Sequence, residues 1–430
     1  MAKRRTESPG TARERLESMI ELAQSYRGWT QREAADALGR NVHAIIPDSG
    51  NPKLDMVVSL SEILDWPIEM IVADLRGKMD APGVPGEAGL PAGPPISADD
   101  AKAIVRRAWE LGRDEQWSAL LEFSAPQKHS RLDGETFAHL MYYRQVALES
   151  DGRYLEAIDS CRRGLRRVSR RAEAACRLRA VLAYALCMTG QLYEAGAIAI
   201  ELVNELRDVP RASVMRTLLG YASFVRGMTL RLQAECAGAD SREILLDARA
   251  ALELAADVFD DYLARPSSPK DASFAQKARS AAGEIGVLLG ERTPVDYVDE
   301  TIRSLGTAFD LATVSSWDAE SLGWCCVFAA RTVIRSLGAF EHPDQVLGIL
   351  TNKVDEVAER LGHWALRQQL FTIEHIYRVL GDHADETPPQ WNFDETDIRT
   401  LMGTMGRFPE FREIGWQILR AVQAERKEAR

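Results

Sequence analysis

Residues 151–158, DGRYLEAI, and residues 189–198, TGQLYEAGAI, are two versions of one pattern. In the first, Gly152 is followed five residues on by Ala157. In the second, Gly190 is followed by Ala195, and Gly190 lies 38 residues after Gly152. Gly227 comes 37 residues later, with Leu219-Gly220 just before it. Leu-Gly pairs at 289–290, 337–338 and 380–381 mark further helix ends at longer intervals, with an insertion around Ala237–Ser241. From residue 97 onward the apolar spacing is almost all of helix period. Repetition near 40 residues means stacked helical hairpins, because one hairpin cannot bury its apolar face without a neighbour.

Working outward toward the N-terminus, the next boundary is Asp80–Ile96, DAPGVPGEAGLPAGPPI, whose prolines and glycines cannot hold a helix. This is expected to be an extended tether, ending at a Ser97 N-cap with acids in the first turn. Before it, five helices are expected. The first runs from about Thr11 to Tyr26 and stops at Gly28. Thr30-Gln31-Arg32-Glu33 is a capping box that opens the second, and Gly39 turns the chain after it. A short third helix begins near Asn41 and must stop at Ile46, because Pro47 cannot continue it. A fourth carries Val57, Leu60 and Leu64. A fifth, opened by Pro67, carries Ile68, Ile71, Val72 and Leu75.

Two resemblances follow from these residues. GWTQREAADALGRNV resembles the first two helices and turn of a Cro/C1-type (XRE-like) helix-turn-helix, on Thr30, Gln31, Glu33, Ala35 and Gly39. NPKLDMVVSLSEILDWPIEMI resembles that family's closing helices, so the resemblance covers about Thr11–Leu75. It implies that the helix after the turn reads base edges, with Gln31, Arg40, Asn41 and His43 as candidate contacts. This chain departs from the family in a shorter segment between Gly39 and Asn51-Pro52. The array resembles tetratricopeptide repeats, on Gly152, Tyr154 and Ala157, then Gly190, Tyr193 and Ala195, then Leu219, Gly220 and Gly227. That likeness covers Phe137 to about Asp261, with general helical-hairpin character beyond. The fold class expected is therefore all-α: a small five-helix helix-turn-helix-like domain at 11–79, a Pro/Gly linker at 80–96, and a tetratricopeptide-like α-solenoid at 97–430.

Charge and composition limit the function. The 430 residues are 46% hydrophobic and 27% charged, ordinary for a chain with a real core. The net charge of −11 argues against a surface built wholly for nucleic acid. Residues 1–80 carry 11 basic and 13 acidic side chains, which offers phosphates little attraction. Lys3-Arg4-Arg5 is either a minor-groove arm or a solvated tail, the tail being the simpler reading. The longest apolar runs, such as Val181–Met188, are too short to cross a bilayer, and no apolar segment follows MAKRRTESPG, so neither a membrane span nor a secretory signal is expected and the chain is read as cytoplasmic. The six cysteines form no C-x-x-C pair and are expected to be buried and reduced.

The sharpest charged feature is Cys161–Arg171, CRRGLRRVSRR. Arg162, Arg166 and Arg170 recur every four residues, with Arg163, Arg167 and Arg171 beside them. On one helix they form a basic stripe, either a docking surface for an acidic partner or a face paired with acids of neighbouring repeats. Trp317, Trp324, Trp364 and Trp391, with Phe328, Phe371 and Tyr377, are read as core rather than as a peptide-binding groove. No metalloprotease, nucleophile-elbow, P-loop or dinucleotide motif occurs, so no enzyme, cofactor or metal is expected. The two resemblances together look like bacterial transcription regulators that bind DNA with the head and sense a peptide or protein in the solenoid groove, the ligand changing the spacing or dimerisation of the heads, which allows for a homodimer. The alternative is a protein-interaction scaffold with a degenerate head.

Overall fold

The computed structural model describes residues 12–47, 52–76, 96–210, 213, 215–237, 241–263, 269–305, 311, 314–380, 391 and 393–428. Among them every regular element is a helix. The chain divides into two compact units.

The first unit holds α1 (Ala12–Arg27), α2 (Gln31–Ala37), α3 (Leu54–Leu64) and α4 (Ile68–Arg76), together with α18 (Glu395–Arg407) and α19 (Arg412–Glu428). The capping box is formed. Thr30 Oγ1 accepts from the Glu33 N–H at 3.3 Å, and the Glu33 carboxylate accepts from the Thr30 N–H at 2.8 Å. Gly39 has φ +63°, and the Arg40 N–H returns to the Ala35 carbonyl at 2.8 Å, closing the turn after α2. Leu16, Ile20, Ala35, Leu60 and Leu64 form the core between these helices.

Two expectations are corrected in this unit. The helix expected from Asn41 to Ile46 is one 3-10 turn, Val42–Ala44. Pro47 bars helical geometry at Ile46, and the residues left cannot offset the cost of nucleating an α-helix. The array was expected to run to residue 430, yet α18 and α19 pack on the head. Trp66 is the reason. Its ring is 3% exposed, its indole N–H donates to the Met402 carbonyl at 2.8 Å, and the Arg412 guanidinium lies 4.4 Å over it while pairing with Asp74. Four short helices cannot bury a tryptophan of this size alone, and the C-terminal pair supplies the missing wall.

The second unit begins with α5 (Ala98–Arg113) and α6 (Trp117–Phe123), then α7 (Gly134–Ser150) and α8 (Tyr154–Leu165). It continues with α9 (Glu173–Met188), α10 (Leu192–Leu206), α11 (Met215–Ala237), α12 (Ser241–Leu263), α13 (Pro269–Leu288) and α14 (Pro294–Leu305). It closes with α15 (Ser316–Arg335), α16 (Pro343–Leu361) and α17 (Trp364–Leu380). Successive helices from α5 to α16 pack on one another as hairpins. The odd-numbered helices α5 to α15 also pack each on the next, whereas the even-numbered ones are much less closely packed among themselves. The stack therefore curves with the odd helices inside. The repeat glycines set the turns: Gly152 and Gly190 have φ +70° and +73°, and the N–H groups of Arg153 and Gln191 reach back to Leu148 and Leu186 at 2.8 and 2.9 Å. Gly227 acts by size, since a Cβ there would lie 2.5 Å from Leu252 Cγ of α12.

Of the linker read at 80–96, only Ile96 lies among the described residues, as do none of Lys3-Arg4-Arg5. No helix among the described residues is long and apolar enough to cross a membrane.

Candidate functional site

Three places carry the candidate chemistry. The first is the turn after α2. Gln31 and Asn41 are exposed, as a base-reading role needs, while the His43 side chain lies outside the described residues. Arg40 is already engaged: its guanidinium donates to the Asp55 carboxylate at 2.7 Å, and only 22% of its side chain is exposed. That pair costs Arg40 much of its freedom to reach a guanine. Thr30→Ala should remove the α2 cap and lower stability by about 1 kcal/mol, seen as a lower urea midpoint. An unchanged midpoint would mean that α2 is held by packing alone. In the same unit, a groove of about 800 Å³ opens between the end of α1 and the α18–α19 pair, lined by Gln24, Tyr26, Trp29, Ile398, Leu419 and Gln423.

The second place is the arginine run. Here α8 stops at Leu165, so the expected single helical stripe is broken and Arg166 to Arg171 lie in the turn that follows. A glycine at 164 and six arginines give the helix little reason to continue, since like charges four apart repel. Four of the six have partners. Arg162 pairs with Glu194 at 3.0 Å, Arg163 with Asp159 at 2.6 Å, and Arg170 with Glu201 and Glu205. Arg167 donates to the Ser130 and Leu132 carbonyls and lies 4.1 Å over Phe137. Arg166 and Arg171 stay exposed. Two of the six thus meet acids of the next hairpin, and two are held within their own.

The third place is the inner layer of the solenoid. Tyr184 on α9 and Tyr221 on α11 face each other with ring centres 6.0 Å apart, and Tyr221 meets Phe274 of α13 edge-on at 5.2 Å. Both tyrosines keep partial exposure, and neither hydroxyl has a hydrogen-bond partner among the described residues. Burial nevertheless raises both phenols well above their ordinary pKa, reinforced by nearby phenols and by the Glu149 and Glu320 carboxylates. They therefore sit largely packed within the inner layer, with part of each ring still reached by solvent. Beside them the Lys277 ammonium, 4% exposed, lies 4.0 Å over Phe274 and donates to Glu320 at 2.9 Å. The two tyrosines are 37 residues apart, the repeat period, and that spacing is their one signal in the sequence.

His363 borders the same cluster. Its Nδ1 accepts from the Leu366 N–H at 3.2 Å, and Nε2 lies 3.9 Å from Glu320. Burial lowers its pKa below 6.5; Glu320 opposes the shift, and Lys277 and Arg367 add to it. The folded chain thus resists a proton that the unfolded chain accepts, so this contribution is present above pH 6.5 and lost as pH falls further. His139 is lowered in the same sense by burial. We expect Tm to drop between pH 7.5 and 5.5, and His363→Gln to drop less. An equal drop in the variant would assign the loss to other groups.

The tryptophans at 324 and 391 are buried, with Phe328 and Phe371, as expected of core, and Trp317 and Trp364 are partly so. Five cysteines are buried. Cys236 is exposed, against expectation, because it sits at the end of α11 beyond the packed stretch. No group of metal-binding side chains occurs among the described residues. No family model, curated protein or solved structure matches the chain.

Proposed function

We propose that this chain is a partner-sensing regulator: the inner layer of the solenoid binds an extended segment of another protein, and the head unit carries the response. What supports this reading is the pair Tyr184 and Tyr221. Two amphipathic rings stand one repeat apart on the inner layer, partly exposed, with hydroxyls that have no hydrogen-bond partner among the described residues. Such rings offer a large contact area at small entropic cost, with a hydrogen bond at the rim. A core has no use for two phenols without partners.

The test begins with selection of binders to the full-length chain from a random peptide library, followed by anisotropy on the enriched peptides. Tyr184→Ala with Tyr221→Ala should weaken binding at least tenfold at unchanged far-UV circular dichroism. Peptides that bind the double variant as well as the parent would end this reading of the inner layer.

A second reading concerns the head: sequence-specific DNA binding, so that the regulator acts on transcription. The Thr30–Gly39 cap and turn favour it, as does the exposure of Gln31 and Asn41. Against it stand the single 3-10 turn in the reading position, the Arg40–Asp55 pair and the acidic balance of the head. Anisotropy of the full chain on its own promoter region at two salt concentrations separates the cases. Binding that weakens with salt and with Asn41→Ala supports transcriptional control. No binding at low salt makes the head a protein-interaction module.

A further inference from the structure

The inner layer holds a second cluster farther along, and its charges do not balance. Arg231 and Glu235 come from α11, Glu284 from α13, and Arg331 and Arg335 from α15. Arg231 and Glu284 are each 1% exposed and pair at 2.7 Å. Glu284 also takes Arg335 at 2.6 Å and Arg331 at 3.8 Å. Glu235 takes Arg331, Arg335 at 2.8 Å and Arg231 at 3.6 Å. Three guanidiniums thus share two carboxylates, and no further acid joins them among the described residues. Burial and the neighbouring Arg231 hold the Arg331 guanidinium down at about 10, the sign of a cation short of compensation. The cluster lies near the C-terminal ends of α11 and α15, whose carbonyls offset only part of a unit charge.

A buried network that served stability alone would not carry a third arginine, since an uncompensated charge in a desolvated cluster is a cost. The surplus also faces outward. Arg331 and Arg335 are 19% and 30% exposed, whereas Arg231 is sealed. Arg331 spends one N–H on the Gln369 side-chain amide oxygen Oε1 at 3.3 Å and another on Glu235; Arg335 spends one on each glutamate. A guanidinium carries five. Neither guanidinium has a nitrogen that is both buried and without a partner, and the partial exposure of the two side chains leaves them in reach of solvent.

We infer that Arg331 and Arg335 form the receptor for a carboxylate, an Asp or Glu side chain of the segment bound along the inner layer. The inference rests on the partner-binding reading above and adds the chemistry of one subsite to it. A carboxylate balances the cluster at three against three and matches the planar fork of the guanidiniums.

Thermal melts of the full chain at fixed ionic strength test it, with hexaglutamate, hexaglutamine and inorganic phosphate as probes. Saturating hexaglutamate should raise Tm by about 2–4 °C, and hexaglutamine should not. Arg335→Gln, which leaves two arginines facing two glutamates, should melt no lower than the parent and should lose the response. Arg335→Lys should keep part of it. Several outcomes overturn the assignment: no response in the parent, a full response in Arg335→Gln, or a marked loss of Tm in that variant, which would make the third arginine structural. A response to phosphate alone would replace the carboxylate by a phosphate. The library peptides distinguish this failure from that of the wider reading, because they would still bind through Tyr184 and Tyr221.

Discussion

Gly406→Val unfolds both ends of the chain together. A Cβ at position 406 would lie 2.4 Å from Cδ1 and 2.6 Å from Cγ of Trp66, closer than any real contact of its kind. The ring has nowhere to retreat. Its N–H is fixed on Met402, and Arg412, itself paired with Asp74, covers its face. Either the indole leaves its seat, exposing an aromatic buried at 3%, or α18 lifts from the head. Overpacking of this kind costs about 3 kcal/mol, a large share of what holds so small a unit. Tryptophan fluorescence should red-shift at a denaturant concentration well below that of the parent, and limited proteolysis should cut α3–α4 and α18–α19 at similar rates. A chain cut after residue 380 should show the same protease-sensitive head. A variant that melts with the parent would mean that Trp66 has another seat.

Glu284→Gln has the second large effect, of the opposite character to Arg335→Gln. The carboxylate is buried to 1%, and Arg231, Arg331 and Arg335 hold its pKa below the ordinary value despite burial. Replacing it leaves one acid against three arginines: the sealed Arg231 is left with the Phe328 face, 5.3 Å away, and with Glu235, 3.6 Å away, which Arg331 and Arg335 already share. Removing one partner of a buried pair costs about 3–5 kcal/mol. The parent's lowered carboxylate pKa adds a pH signature. The stability it confers is present above pH 4.5 and lost as pH falls further, so the variant's stability should vary less with pH in the acid range. Urea midpoints at pH 7 and pH 4 measure both. A midpoint at pH 7 within error of the parent would show that the network is solvated and soft.

Much of the architecture was legible because its causes are local. Glycines at 152 and 190 end helices wherever they stand, and the 3.6-residue period marks buried faces without knowledge of a neighbour. The Thr30 box and the Gly39 turn were readable for the same reason. The 3-10 turn at Val42–Ala44 was half legible: Pro47 sets the limit, and the cost of nucleating so short a helix does the rest. What escaped depends on distance in sequence. Nothing near Trp66 announces that Met402, Gly406 and Arg412 complete its pocket, and nothing in α11 announces that Arg231 meets Glu284. The arginine run misled because its spacing promised one helix, while Gly164 and repulsion ended it at Leu165. Tyr184 and Tyr221 were hidden by their ordinary surroundings and stood out only at the repeat period.

The seat of Trp66 has a consequence in time. Its hydrogen-bond partner lies 336 residues downstream, so at synthesis rates of roughly 5–20 residues per second the indole waits some 15–70 s for the wall that covers it. Throughout that interval the solenoid hairpins, whose contacts are between near neighbours, can assemble as they emerge. The head cannot. Its closing step comes last, whatever the order in which its residues are made, and a chain released before α18 leaves a folded solenoid joined to an unfinished head.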